Sequence, residues 1–280
     1  MAPRETPSDL HRYPQRDPLE RDLAKVGTLW HYTGKKALES ILEHRTLWAT
    51  RADCMNDSSE IHHASSYLQQ AWDGATVLSE QGGGLPGLNT LMRVFALSKL
   101  GSEVPVQVGL KDGPMPYVTC FCGEIELLSM WRNYAGGEGY AIGFSAQDLY
   151  KLSKRLKGQL AAVHYADPWD PPNVTGTPDP ATGRLEVSPM QAAEIKHPGF
   201  VEEREYRVIL PGDTDLPVKH RDDPTHAPYV ELPLADCNPV AVWAGPGMTK
   251  NDLDGLKGLL ADHGWSDVVV EASGIPLRRE

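Results

Sequence analysis

Two carboxylates stand two residues apart in the segment EREYR, where Glu203 and Glu205 precede an apolar run at residues 208–210. Residues i and i+2 of an extended chain point to the same face, so a strand here would bring both acids together. Such a pair needs a ligand, a cation or a polar network between its members, which makes it a candidate site. The alternative is a half-exposed strand whose acids pair with Arg204 and Arg207 in solvent.

A histidine lies in a short aromatic segment, where Trp30, His31, Tyr32 and Thr33 precede Gly34. This composition is typical of a strand that ends at the glycine, and ligands bind more often at strand ends than in mid-sheet. His31 is therefore a second candidate site residue. The alternative is a core histidine whose two ring nitrogens are both satisfied locally.

Three other segments have both a structural and a functional interpretation. Residues 56–60, with the sequence NDSSE, are typical of a helix start. Trp131 and Tyr134 fall on one face of a predicted helix, as core residues commonly do. Cys120 and Cys122 share a strand face but lack the turn spacing of a structural zinc site, so we expect no metal.

The predicted elements alternate early in the chain and become mostly strands late in it. Strands are predicted at 28–33, 46–50, 117–122, 139–144, 160–165, 200–210, 229–234, 239–244 and 267–272, and the clearest helices end near residues 44, 134, 156 and 263. Residues 168–189 are rich in Pro and Asp and are predicted to be a loop. The absence of a long βαβ series favours an α+β fold over a doubly wound sheet.

The chain is expected to form a single domain at residues 26–280, preceded by a flexible arm at residues 1–25. The arm has no apolar segment of the kind found in a signal peptide. Residues 73–116 contain a GGG run and several prolines, so we expect an insertion or a cover segment there.

Composition and charge restrict the classes of function. The chain of 280 residues has a formal net charge of -11, so tight non-specific nucleic-acid binding is not expected. No apolar run approaches the ~20 residues that a membrane span needs, and no membrane partner is expected. Four cysteines in a chain of this length are typical of reduced thiols, which predicts a soluble cytoplasmic protein.

The order of motifs along the chain resembles a bacterial family catalogued as a domain of unknown function. The segments are HYT at 31–33, LWAT at 47–50 followed by NDSSE, CFC at 120–122, MWRNYA at 130–135, GYAIGF at 139–144 and EREYR at 203–207. They match that family's HYT, NDxxE, MWxxYA and ExEYR motifs, and the resemblance extends over nearly the whole chain.

The same order resembles, more distantly, the ADP-ribosyltransferase superfamily. That resemblance implies an α+β fold with a split β-sheet core and peripheral helices, in which a histidine, an aromatic residue and a glutamate embrace NAD. His31, Trp48 and Glu205 occupy those places, although Trp48 stands where a tyrosine is usual. Another ring would then stack on NAD: Tyr32, Trp131 or Tyr134.

The resemblance also implies roles for the site residues. Glu205 would stabilise the oxocarbenium-like centre that forms when the bond between nicotinamide and ribose is cleaved. His31 would hydrogen-bond a ribose hydroxyl, and the backbone of Tyr32 and Thr33 would hold the nicotinamide amide. Glu203 would orient or deprotonate the acceptor.

We therefore expect an NAD-dependent ADP-ribosyltransferase acting on a protein or nucleic acid, or an NAD glycohydrolase if water is the acceptor. NAD is the expected co-substrate, and Asn56 of the NDxxE motif is a further expected NAD-binding residue. Bacterial enzymes of this type often act as toxins or defence effectors, and the resemblance implies such a role here.

Two alternatives remain open at the level of sequence. One is a non-catalytic module of the same fold that binds a nucleotide or a partner. The other is a hydrolase or nuclease in which Glu203, Glu205 and Asp57 hold a divalent cation. The leading hypothesis requires that His31, Trp48 and Glu205 converge on one cleft.

Overall fold

A computed structural model describes residues 23, 25–55, 61, 64–70, 73, 107–136, 138–165, 179, 181–221 and 227–276. The expected arm at 1–25 and the expected insertion at 73–116 lie largely outside these residues. Asn56 and Asp57 lie outside them as well.

The helices of the described residues are short and pack around a large sheet. They include α1 (Lys35–His44), α2 (Leu128–Tyr134), α3 (Ala146–Arg155), α4 (Pro189–Ala192) and α5 (Lys250–Asp262), with 3-10 segments at Ala52–Cys54 and Pro198–Glu203. Residues 64–70 are helical as well. Side-chain caps begin α3 at Ser145 and α5 at Thr249, each accepting from a backbone N–H of the first turn.

The strands are β1 (Thr28–Thr33), β2 (Thr46–Arg51), β3 (Gln107–Leu110), β4 (Tyr117–Cys122), β5 (Tyr140–Ser145), β6 (Gln159–Ala162), β7 (His164–Tyr165), β8 (Arg184–Val187), β9 (Ile195–Lys196), β10 (Glu205–Leu210), β11 (Lys219–His220), β12 (Pro228–Pro233), β13 (Pro239–Ala244) and β14 (Val269–Ala272). Among the described residues, ten of these strands form one mixed sheet. Eight of them follow the order β11-β12-β2-β4-β1-β5-β13-β14, while β10 pairs with β4 and β6 pairs with β10. The short pairs β3–β8 and β7–β9 lie outside this sheet and are both parallel.

The large sheet is divided at β4. One edge of β4 pairs with β10 along its whole length, from Tyr117 to Cys122. The other edge pairs with β2 only at Tyr117 and Val118, and with β1 only at Cys122. Residues 119–121 lie between these two pairings, so β1 and β2 diverge there and leave a gap in the sheet.

Apolar side chains on one face of the sheet pack against α1, α3 and α5. Leu38 and Leu42 of α1, Leu149 of α3 and Leu256 of α5 belong to this largest core cluster. Gly143 on β5 lets β1 pack closely, because a Cβ at that position would lie 2.7 Å from the ring of Trp30. Among the described residues, no helix is long and apolar enough to cross a membrane.

The structure confirms a mixed α+β fold with a multi-stranded sheet and several helices. β1 and β4 have the predicted bounds, and the helices at residues 44, 134, 156 and 263 end at or within one residue of the prediction. Two predictions are wrong. The expected loop at 168–189 contains strand β8, and the expected strand at 200–210 begins as a 3-10 segment.

Candidate functional site

A cavity of about 710 Å³ opens where β1 and β2 diverge from β4. Its walls come from β1, β2, β4, α1 and the segment between β9 and β10, which are far apart in the sequence. His31, Trp48, Glu203 and Glu205 all line it. All four therefore border one cavity, but His31 reaches it from the face of the sheet that carries Leu29 and Ile142, and Glu205 reaches it from the face that carries Trp30 and Cys122.

Two hydrogen bonds span the gap in the sheet beside the cavity. His31 Nδ1 donates to the carbonyl oxygen of Cys120 at 3.0 Å, and Thr119 Oγ1 donates to the carbonyl oxygen of Trp48 at 3.0 Å. The first bond connects β1 to β4 and the second connects β2 to β4. These side chains replace the regular strand pairing that residues 119–121 lack on this edge.

His31 is held in its neutral form. Burial lowers the pKa of its imidazole below the usual 6.5, and the hydrogen bond to the backbone of Cys120 opposes this shift only in part. Because Nδ1 donates to a carbonyl, Nε2 of the neutral ring is a hydrogen-bond acceptor. A ligand hydroxyl group is a suitable donor to it.

The two carboxylates come together by a different route from the one expected. Glu203 ends the 3-10 segment, Arg204 adopts a left-handed conformation with φ 44°, and Glu205 begins β10. The extended geometry assumed for the ExE motif is therefore wrong. Both side chains are nevertheless buried, at 7% exposure for Glu203 and 4% for Glu205, so the solvent-exposed alternative is also wrong.

A buried lysine joins the two carboxylates. Lys196 on β9 donates from Nζ to Glu203 Oε2 at 2.7 Å and to Glu205 Oε2 at 2.8 Å. Arg207 also donates to Glu205, from Nε to Oε1 at 2.7 Å and from Nη2 to Oε2 at 3.2 Å. Tyr134 donates its hydroxyl hydrogen to Glu203 Oε1 at 2.8 Å. The acids therefore belong to a compact network of charged and polar groups.

The network keeps Glu205 ionised despite its burial. Burial by itself raises the pKa of this carboxyl, but attraction to Arg207 and Lys196 and their hydrogen bonds lower it to about 2. The neighbouring Cys120 thiol also hydrogen-bonds Glu205, and burial together with that carboxylate raises the thiol's pKa well above its usual value. Cys120 is therefore a protonated donor and not a nucleophile.

Trp48 lies in an aromatic and cationic group at the outer part of the cavity. Its ring is 44% exposed and stacks on Tyr229 of β12, with centroids 4.3 Å apart. The guanidinium of Arg221 lies 5.6 Å from the Trp48 ring and donates to Thr50 Oγ1 at 3.0 Å. This end of the cavity offers a planar ring and positive charge. Lys36 of α1, which is exposed, is a further cation of the lining.

The other predicted NAD-binding residues are divided between cavity and core. Thr33 and Tyr134 line the cavity. Trp131 does not: it is fully buried and packs edge-on against Tyr32, with ring centroids 4.9 Å apart. The expected stacking role of Trp131 is therefore wrong. The Tyr32 hydroxyl donates to the carbonyl oxygen of Ile125, so its ring belongs to the same core cluster even though the residue borders the cavity.

Sequence reasoning missed Lys196 and Arg221. Lys196 lies in a two-residue strand and Arg221 directly follows another, so neither has a local pattern that predicts a role. The only available signal was the need of two adjacent acids for a counter-ion, which we assigned to Arg204 and Arg207. Arg207 does pair with Glu205, whereas Arg204 forms a salt bridge with Glu124.

Within the described ranges, no group of three or more His, Cys, Asp and Glu side chains is arranged to hold a metal ion. Lys196 and Arg207 already supply the positive charge next to the carboxylates.

A sequence model of the family described as "Protein of unknown function (DUF2971)" matches residues 130–208. The matched segment runs from α2 to β10 and contains Tyr134, Lys196, Glu203 and Glu205. It agrees with the expected relation to a domain-of-unknown-function family. No curated protein and no solved structure matches the chain.

Proposed function

We propose that this protein binds NAD in the cavity at the divided sheet and cleaves the bond between nicotinamide and ribose. It acts as an ADP-ribosyltransferase on a macromolecular acceptor or, with water as the acceptor, as an NAD glycohydrolase. The supporting observation is that His31, Trp48 and the carboxylates Glu203 and Glu205 line one cavity.

The size and charge of the cavity suit a dinucleotide. Its volume of about 710 Å³ lies within the roughly 300–1,000 Å³ that is usual for small-molecule sites. The cations Lys36 and Arg221 in the lining suit a diphosphate, and the buried carboxylates suit a positively charged centre.

Each side chain has a distinct task in the proposed reaction. His31 Nε2 accepts a hydrogen bond from a ribose hydroxyl group, and ionised Glu205 stabilises the positive charge that develops on the ribose. The bond from ribose C1 to the nicotinamide nitrogen breaks, and nicotinamide leaves with the electron pair. C1 then bonds to the acceptor, whose proton passes to Glu203.

One observation favours a second candidate, a non-catalytic module that binds the dinucleotide. Glu205 already bonds Arg207 through both carboxylate oxygens and Lys196 through one of them. These cations reduce the negative charge that Glu205 offers to a developing cation. The metal-dependent hydrolase has less support, since two of its three carboxylates, Glu203 and Glu205, already form salt bridges with Lys196.

Calorimetric titration with NAD, combined with detection of released nicotinamide, separates the two candidates. The enzyme binds NAD and releases nicotinamide at a rate proportional to protein concentration. The binding module gives the same calorimetric signal without release. A protein that neither binds NAD nor releases nicotinamide contradicts both.

A further inference from the structure

Lys196 is the shared partner of the two carboxylates at the inner end of the cavity. Its side chain is 6% exposed, and its Nζ atom lies 2.7 Å from Glu203 Oε2 and 2.8 Å from Glu205 Oε2. The two carboxylates are thus separated by no more than two hydrogen-bond lengths. Buried charges at such separations need a cation between them.

The surrounding residues do not replace Lys196 as the partner of Glu203. Arg207 directs Nε and Nη2 to Glu205 and Nη1 to the carbonyl oxygen of Ala193. Arg204, although adjacent to both acids, pairs with Glu124. Among the described residues, Lys196 is therefore the one cation that forms a salt bridge with Glu203.

The fold holds Lys196 in this place. β9 pairs in parallel with β7 so that Lys196 lies opposite Tyr165, and the Tyr165 hydroxyl accepts a hydrogen bond from the backbone N–H of Glu205 at 2.7 Å. The Lys196 ammonium also lies 4.7 Å from the centre of the Phe200 ring. Strand pairing and the Phe200 ring thus hold Lys196, and the Tyr165 hydroxyl holds the backbone of Glu205 beside it.

We propose that Lys196 is a positioning residue, the common counter-ion that allows Glu203 and Glu205 to face the cavity as a pair. Its link to catalysis rests on the function proposed above. The electrostatic part of the proposal does not rest on that function, because it concerns only the charges of the two carboxylates in the protein without a ligand. Without Lys196, repulsion between the acids is expected to make one of them retain a proton near neutral pH.

The titratable and charged groups that face this pair come from every element around it. They are His31 of β1, Cys120 and Cys122 of β4, Tyr134 of α2, Tyr165 of β7 and Arg207 of β10. Burial raises the pKa of both thiols and both phenols, so these four remain neutral at neutral pH. Arg207 is a permanent cation beside the pair and forms its salt bridge with Glu205.

NMR of protein labelled at the glutamate side-chain carboxyl carbons tests the electrostatic part without turnover. The variants E203Q and E205Q assign the two signals. In the wild type, the Glu205 signal is expected to stay constant between about pH 5 and 8, because Arg207 and Lys196 lower the pKa of this carboxyl to about 2. In K196M, one of the two signals is expected to shift in that range more than the corresponding wild-type signal. K157M is the matched control, because Lys157 pairs with Asp215 at the surface and is expected to leave both signals unchanged.

A double variant covers the case in which K196M does not fold. Removing one partner of a buried ion pair is strongly destabilising, whereas K196M/E203Q removes one charge of each sign. We expect urea unfolding to show K196M/E203Q more stable than K196M. If the double variant is no more stable, or if neither signal of a folded K196M shifts more than in the wild type, the counter-ion role is wrong.

The link to catalysis is tested by the pH profile of nicotinamide release. K196R keeps the cation and is expected to retain most activity. The acid limb of its pH profile, where activity is lost at low pH, is expected at the wild-type pH. K196M is expected to shift the acid limb upward by at least one pH unit, about a tenfold change in proton affinity. An unshifted acid limb overturns the positioning role. A protein without NAD cleavage refutes the proposed function, while the NMR result still decides the electrostatic part.

Discussion

His31 on β1 and Cys120 on β4 are joined by a side-chain-to-backbone hydrogen bond of 3.0 Å at the place where regular pairing between the two strands has stopped. The bond fixes the proton on Nδ1 and leaves Nε2 as an acceptor. The same ring thus bridges the gap in the sheet and brings a hydrogen-bond acceptor to a residue that lines the cavity.

The variant H31N separates these two tasks. An asparagine amide can still donate to the carbonyl oxygen of Cys120 but has no equivalent of Nε2. We expect roughly tenfold weaker NAD binding, about 1.4 kcal/mol for one lost hydrogen bond, with near-wild-type stability. Calorimetry and urea unfolding measure both. H44N, on an exposed residue of α1 that does not line the cavity, is the control. Wild-type NAD affinity in H31N would remove His31 from the site.

Stability should depend on pH through His31 in a defined direction. Its pKa is lowered from 6.5 by burial, so the unfolded chain takes up a proton below pH 6.5 before the folded protein does. The free energy of unfolding therefore falls as the pH decreases from 6.5 toward the lowered pKa. H31N lacks this group, so we expect the stability of the wild type to fall relative to that of H31N over that range. A constant difference in urea unfolding across this range contradicts the neutral assignment.

Glu205 makes its contribution to pH dependence at lower pH. Its pKa is about 2 in the folded protein against 4.5 for an ordinary glutamate. Its stabilising contribution, on the order of 3 kcal/mol, is complete above pH 4.5 and is lost as the pH falls toward 2. Acid unfolding of wild type and E205Q is expected to differ in this lower window.

E205Q is expected to reduce NAD cleavage by ~10²–10³, because the amide cannot stabilise a developing positive charge as a carboxylate does. E205Q is also expected to be less stable than the wild type, since it leaves Lys196 and Arg207 without their common anion in a buried place. The rate must therefore be compared at a temperature where circular dichroism shows the variant folded. Full activity in folded E205Q would show that Glu205 is not catalytic.

E203Q separates transfer from hydrolysis. Glu205 remains to stabilise the ribose cation, so slow nicotinamide release to water should persist, while labelling of the macromolecular acceptor should fall much further. The exposed E202Q, in the same 3-10 segment, is the matched control. Equal loss of both activities in E203Q would indicate support of the whole site, and loss of neither would exclude Glu203 from the reaction.

Local sequence patterns predicted much of the scaffold. β1 and β4 have continuous aromatic or β-branched character, and α1, α3 and α5 have an apolar stripe and clear ends, so short-range physics fixes their bounds. β8 was missed because its pairing with β3 joins two segments far apart in the sequence, which a local window does not contain.

The candidate site was predicted only in part, because its residues also come together through contacts between segments that are far apart in the sequence. His31 and Glu205 were identified from composition and motif order, but the path from Glu203 to Glu205 depends on the left-handed Arg204, a residue type that rarely adopts that conformation. Lys196 was missed because its role depends on two acids that approach it only in the folded chain. Trp131 was misassigned because a helix face alone does not tell a core aromatic from a ligand-binding one.

The proposed cleavage of NAD is tested by incubating purified wild-type protein with NAD that carries one label on nicotinamide and another on the adenylate. The reaction is run with buffer alone and with cell lysate or RNA, and E205Q is assayed in parallel. We expect nicotinamide release that depends on Glu205, with the adenylate label either joined to a macromolecule or recovered as free ADP-ribose. Intact NAD in every sample, at protein concentrations well above those of a working enzyme, would contradict the proposed cleavage.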